Sequence, residues 1–341
     1  VRVGRGASNI GTNTVVGAGA LASNTSGENN TVIGLGALAN NTVGYANTAN
    51  GVNALSSNTS QANNTAIGVN AMMNASTNTS TAMGVQSLQN CSGDRNVGIG
   101  VNVLRLSGGQ DNTVVGSYAM QSATSGNYNV ALGYGAFGLS LSGNNNTAIG
   151  SEALTINHPF SNSTGLGYNA QVEGSNQIQL GSGTTTCYTN GALQNRSDER
   201  DKTEVRDTVL GLDFINELRP VDYKWDMRED YRSEMPSQLD LDATEEEKVA
   251  HQILMDEWLE SAKLDNLNHD GTHTRTRYHH GLIAQEVQDV IEASGVDFGG
   301  FQDHKVNGGG DVLTIGYTEL IAPMIKAIQE LTARINVLES N

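Results

Sequence analysis

One glycine recurs through the first half of this 341-residue chain, at positions 17, 34, 51, 68, 84, 100, 116, 133, 150 and 167. A fixed period of 16 or 17 residues commits a chain to a stack of like units before any local propensity is weighed. Around each glycine the pattern is Asn-Thr-small-apolar-Gly-x-x-Ala-Leu. The residue before it is Val16, Ile33, Ile67, Met83, Ile99, Val115, Leu132, Ile149 or Leu166, with Asn50 as the polar exception. A small residue (Ala20, Ala37, Ala54) stands three positions after the glycine, and a large apolar one (Leu21, Leu38, Leu55) follows it. Turn-formers such as Asn24-Thr25-Ser26-Gly27 separate the blocks.

Such a period is too short for paired helices and fits one coil of a β-solenoid. The expected coil has two short strands, a glycine where backbones approach closely, and a polar turn. About two sizeable apolar side chains per coil stand against a backbone ordering cost of about 1–2 kcal/mol per residue. The expectation is therefore that several chains share one core, with Asn and Thr columns stacked as hydrogen-bonded ladders. The array closes at Asn176-Gln177-Ile178-Gln179-Leu180-Gly181, so residues 1–181 read as a shaft of about ten repeats. Its Asn-Thr-Ala-Ile-Gly blocks at 64–68 and 146–150 resemble the head repeats of trimeric autotransporter adhesins, which form β-rolls. Similar repeats occur in phage tail fibres.

Charge divides the chain at the same place. Residues 1–181 hold four arginines, no lysine and five acidic residues; the remainder holds 15 basic and 31 acidic ones and carries nearly all of the net −17. Phosphate contacts need clustered cations, so neither nucleic acid nor an anionic membrane suits the second half. No run of 18 apolar residues exists that could cross a bilayer as a helix. The start lacks a signal-peptide core and an initiator Met, and reads as a piece of a longer protein. Cys91 and Cys187, far apart in unlike contexts, read as free thiols. With no cluster of aromatics or charges along it, the shaft reads as a stiff spacer.

Residues 182–196 read as further β-structure or linker. Lys202 is the first lysine, and beyond it the apolar period turns helical. Val209, Leu212, Ile215 and Leu218 predict a helix ending before Pro220; 221–225 predicts a strand. Residues 233–276 form a polar, acidic insert with a helix opened by a Thr244–Glu247 capping box. A helix over 283–293 stops at Gly295. In the tail, 318–340, Ile321, Met324, Ile328, Leu331, Ile335 and Leu338 follow 3-4 spacing, the a/d seam of a short coiled coil that must pack in an oligomer or on its own domain. The fold expected is an all-β, trimeric β-solenoid or β-roll shaft followed by a smaller α+β domain ending in a coiled-coil helix.

This second half closely resembles the C-terminal intramolecular chaperone domain of bacteriophage tail spikes and tail fibres, the self-cleaving kind first associated with endosialidases. The matching blocks are Ser197-Asp198-Glu199-Arg200-Asp201-Lys202, Leu218-Arg219-Pro220-Val221-Asp222-Tyr223-Lys224-Trp225, Gly281-Leu282-Ile283-Ala284-Gln285-Glu286-Val287 and Tyr317-Thr318-Glu319-Leu320. The resemblance implies that residues 197–341 trimerise, template the preceding fibre and cut themselves off before the motif serine. It places the scissile bond at Arg196–Ser197, with Ser197 as nucleophile and Lys202 as base, and it favours three strands over the two that Ile at a with Leu at d nominally select. A serine hydroxyl needs a base to take its proton, and a lysine serves only when burial lowers its pKa from about 10.4 toward 7–8. That burial is expected to arrive with assembly.

Asp198 and Arg200 read as ion-paired supports of the turn. His279, His280, Gln285 and Glu286 read by default as packing, with support of the dyad as the alternative. His251, His269 and His273 are too scattered for the three or four convergent ligands of a metal site, and no cofactor motif is present. The resemblance implies as partners two further copies of the chain, other phage tail proteins upstream of Val1 and a host surface receptor. The implied location is the virion tail fibre, assembled in the host cytoplasm. The alternative is an uncut, adhesin-like fibre whose C-terminal domain clamps three chains permanently.

Overall fold

A computed structural model describes residues 3–340 except 124, 140–141, 156–158, 184, 191–193, 235, 237–243 and 308–310. It divides into two compact units, Val1–Cys187 and Tyr188–Asn341.

The first unit is a β-solenoid. Short strand β1 (Val3–Gly4) pairs antiparallel with β2 (Thr14–Val16), and from β2 onward the stack is parallel. It continues through β3 (Thr31–Ile33), β4 (Thr48–Asn50), β5 (Thr65–Ile67), β6 (Thr81–Met83), β7 (Val97–Ile99), β8 (Thr113–Val115), β9 (Val130–Leu132), β10 (Thr147–Ile149), β11 (Thr164–Leu166) and β12 (Ile178–Leu180). Equivalent repeat residues pair in register, as Thr14 with Thr31 and Val15 with Val32. The middle residue of nearly every strand points inward and is buried, while its two neighbours face outward, as the period-2 pleat requires.

Among the described residues each coil contains one three-residue strand, not the two expected. The second wall is built on Leu21, Leu38, Leu55, Met72, Leu88, Leu104, Met120, Phe137 and Leu154, all at φ between 47° and 55°. A left-handed residue interrupts extended backbone, so this wall is linked coil to coil by single amide bonds, such as Leu21 N–H to the Ala37 carbonyl at 3.0 Å. L-residues pay roughly 1–2 kcal/mol for that conformation. Burial of the side chains offsets it: most of these residues are fully inaccessible to water. The recurring glycine answers a second constraint. A Cβ on Gly116, at φ 131°, would stand 2.2 Å from the Gly133 carbonyl oxygen of the next coil.

More than a third of the buried side chains in this unit are polar. Asn13, Asn30, Asn47 and Asn64, then Asn96, Asn112, Asn129 and Asn146, form a buried column. Each side-chain oxygen accepts the backbone N–H of its counterpart one coil on, and each amide donates across the coil to a turn carbonyl. In Asn129, Oδ1 accepts from Asn146 N at 2.9 Å and Nδ2 donates to the Gly143 carbonyl at 2.9 Å. A second column changes with repeat length over the first six coils. Asn24, Asn41 and Asn58 brace the longer turns by donating to carbonyls three residues on, and Ala75, Cys91 and Ser107 replace them where the turn is one residue shorter. The ladder bond from Asn58 to Asn41 measures 2.7 Å.

In the second unit, α1 (Leu212–Glu217) packs with α3 (Ala284–Ser294) and α4 (Ile321–Glu339) over a core of Leu210, Phe214, Val287, Phe298 and Leu320. Between α1 and α3 lies α2 (Glu245–Ser261), opened by the expected Thr244–Glu247 box. Two antiparallel strand pairs complete the unit, β13 (Val221–Tyr223) with β14 (His279–Gly281) and β15 (Phe301–Asp303) with β16 (Leu313–Ile315). Helix α1 is shorter than the apolar spacing predicts: Gly211 sits at its N-cap, and Val209 lies outside it and is exposed. Gly295, at φ 66°, ends α3 as expected. No strand forms among the described residues of 182–196, and part of that stretch and of the acidic insert lies outside the described residues. No described helix is long and apolar enough to cross a membrane.

Candidate self-cleavage site

Ser197 and Lys202 stand five positions apart, a spacing that no regular helix or strand brings to one face. A single 3-10 turn, Glu199–Asp201, closes the gap. Asp198 caps it, its Oδ1 accepting the Arg200 N–H at 2.9 Å, and Lys202 N–H returns to the Glu199 carbonyl at 3.0 Å. The Arg200 guanidinium folds back on the same carboxylate in a two-point contact, 3.0 and 2.6 Å, which holds the Asp198 carboxyl below the usual carboxylate range. Arg196 reaches over the turn to Asp201 at 2.7 Å, so an ion pair spans the Arg196–Ser197 peptide. The result is a direct contact: Lys202 Nζ donates to Ser197 Oγ at 2.7 Å. Both partners are exposed to solvent.

The other four predicted supporting residues are engaged elsewhere or face solvent. His279 stacks on Tyr223, ring centroids 5.9 Å apart, beside Trp225. Across the β13–β14 pair, His280 Nδ1 lies 2.5 Å from Asp222 Oδ1. Glu286 forms a two-point ion pair with Arg219, Nε to Oε2 being 3.0 Å, which depresses the Glu286 carboxyl. Gln285 is exposed at the start of α3. Among the described residues no group of three or more His, Cys, Asp or Glu converges as a metal site requires, and both cysteines are free.

The seam of α4 is open. On the helix beside this seam, Pro323 and Ala327 are buried, and Glu330 Oε2 accepts the Leu212 N–H at 2.8 Å, tying the helix to the start of α1. Ile321, Met324, Ile328, Leu331, Ile335 and Leu338 remain 43% to 76% exposed. Sequence reasoning missed Glu330, because its partner lies 118 positions away and leaves no local mark.

Residues 197–242 match the family described as chaperone of endosialidase, and the matched stretch begins on Ser197 itself. No curated protein and no solved structure matches the chain. A β-solenoid, with a segment similar to the endosialidase chaperone family after it in the chain, supports a tail-fibre-like protein with a chaperone domain.

Proposed function

We propose that this chain is a homotrimeric phage tail-fibre segment whose C-terminal domain assembles the shaft and then releases itself by cutting Arg196–Ser197. The observation that carries the reading is the 2.7 Å contact between Lys202 Nζ and Ser197 Oγ at the first residue of the matched stretch. In the reaction, Lys202 as free amine takes the Ser197 hydroxyl proton while Oγ adds to the Arg196 carbonyl carbon. Collapse of the tetrahedral carbon breaks the C–N bond, and the Ser197 nitrogen takes the proton from Lys202. Water then hydrolyses the ester, leaving a carboxylate on Arg196 and restoring the serine hydroxyl beside a new amino terminus.

Trimerisation supplies the trigger. A fully buried Leu or Ile gains about 1.5–3 kcal/mol, so the six exposed seam residues leave several kcal/mol unrealised in an isolated chain. The shaft repeats the theme, with Ile33, Leu35, Val69, Met83, Leu132 and Leu166 all exposed. The reading requires that assembly also cover the Ser197–Lys202 pair, which is exposed in the single chain. The chain then acts in a virion, after assembly in the host cytoplasm, with other tail proteins and a host receptor as partners. The rival reading, a permanent uncut clamp, draws on the solvent exposure of both dyad residues.

A denaturing gel of freshly assembled protein separates the two. Cleavage yields pieces of 196 and 145 residues, and Ser197→Ala yields one full-length band. An uncut wild type overturns the proteolytic reading and leaves the clamp.

A further inference from the structure

Two contacts of equal span lie side by side at the junction. Ser197 reaches Lys202 and Arg196 reaches Asp201, each across five positions. The peptide that the proposed reaction cuts is the edge joining them. Arg196 docks through both arms of its guanidinium, Nε to Asp201 Oδ2 at 2.7 Å and Nη2 to Oδ1 at 3.0 Å. A fork of this kind fixes the plane of the group as well as its place. The Arg200–Asp198 pair, by contrast, closes over two positions downstream of the bond and does not cross it.

The reaction geometry gives that crossing a use. When Oγ adds to the Arg196 carbonyl carbon, a five-membered ring closes from Oγ, Cβ, Cα and N of Ser197 and that carbon. Two rotations decide whether it can close. One is χ1 of Ser197, which swings Oγ; the other is φ of Ser197, which turns the rigid peptide plane. Lys202 restrains the first through its 2.7 Å bond to Oγ. The second carries the Arg196 Cα with it, so docking the Arg196 side chain on Asp201 restrains that rotation. Reactants whose rotations are already frozen react faster.

Resting on the self-cleavage reading, we propose that Arg196 is a positioning residue for that reaction. Its guanidinium, held by Asp201, keeps the scissile peptide plane turned toward Ser197 Oγ, so the site selects for arginine before the cut.

The test follows the full chain, labelled during cell-free synthesis, with denaturing gels to time the cut and native gels to time assembly. Arg196→Gln should assemble at the wild-type rate and cut about fivefold more slowly, the upper worth of an exposed ion pair. Arg196→Lys keeps the charge but loses the fork, and should fall between the two. Asp201→Asn should match Arg196→Gln, and the two together should be no slower than either. Charge exchange, Arg196→Glu with Asp201→Arg, should recover most of the rate that Arg196→Glu alone loses. A wild type that cuts, beside Arg196→Gln and Arg196→Lys variants that assemble and cut equally fast, overturns the positioning role alone. So does an exchanged pair as slow as Arg196→Glu. A wild type that assembles and stays whole overturns the self-cleavage reading and the positioning role with it.

Discussion

Replacing Asn129 by alanine isolates the worth of the polar interior. Asn129 is almost wholly buried. Its Oδ1 accepts from Asn146 N at 2.9 Å and Asn146 Nδ2 at 3.2 Å, and its Nδ2 donates to Asn112 Oδ1 at 3.1 Å and the Gly143 carbonyl at 2.9 Å. Asn146 Nδ2 keeps a second acceptor in the Phe160 carbonyl, and Asn112 Oδ1 keeps the Asn129 N–H. Alanine therefore strands two buried main-chain groups, the Asn146 N–H and the Gly143 carbonyl. At about 1–3 kcal/mol for each unsatisfied group, the loss is roughly 2–6 kcal/mol. The matched control is Asn144→Ala, whose Oδ1 also accepts from the backbone and side chain of Asn127, at 2.9 and 3.1 Å, but on an exposed column where water substitutes. That variant should stay within about 0.5 kcal/mol of wild type. Coils of a solenoid open locally, so native-state hydrogen exchange at the Asn146 amide is the direct readout, with acceleration of at least about thirtyfold expected in Asn129→Ala. Equal exchange rates in the two variants would refute the argument that burial, and not the bond pattern, gives the ladder its strength.

Gly116→Ala should cost roughly 3 kcal/mol or more, since it adds a left-handed strain to a contact with the Gly133 carbonyl that only a widened coil spacing relieves. An unchanged melting curve would sink that account. Burial pushes the Cys91 thiol up to about 11, whereas Cys187 is exposed, so a thiol reagent at pH 8 should label one cysteine in the native protein and two in urea. The raised native value also sets a sign. The unfolded thiol ionises first, near its ordinary 9.0, so the Cys91 contribution is complete below pH 9 and fades as pH climbs to 11. Denaturation midpoints that fall equally over this window in Cys91→Ala would contradict it.

The glycine period was legible because backbones packed at strand spacing tolerate no Cβ, and that constraint marks every coil. The single strand per coil was not. Left-handed backbone is ordinarily reserved for Gly or Asn, and nothing in the letters Leu21 or Met72 announces φ near 50°. Asn columns were legible as ladders, yet Asn129 and Asn144 are the same residue type, and only closure of the coil decides which is dry. At the junction, the Ser197–Lys202 contact depends on a 3-10 turn capped by Asp198, a motif too short for periodicity to flag. The resemblance pointed there first. The His280–Asp222 pair depends on the β13–β14 register and could not be read from residues 58 apart.

Because register is carried largely by like residues bonding to like, most coils present closely similar upper and lower surfaces. Duplication or loss of one 16- or 17-residue block leaves both neighbours with the partners they had. Each such event changes the stack by about 4.8 Å, the distance between adjacent strands. Reach is thereby inherited as a whole number of rungs, a molecular tape measure that evolution can lengthen or trim without redesigning either end.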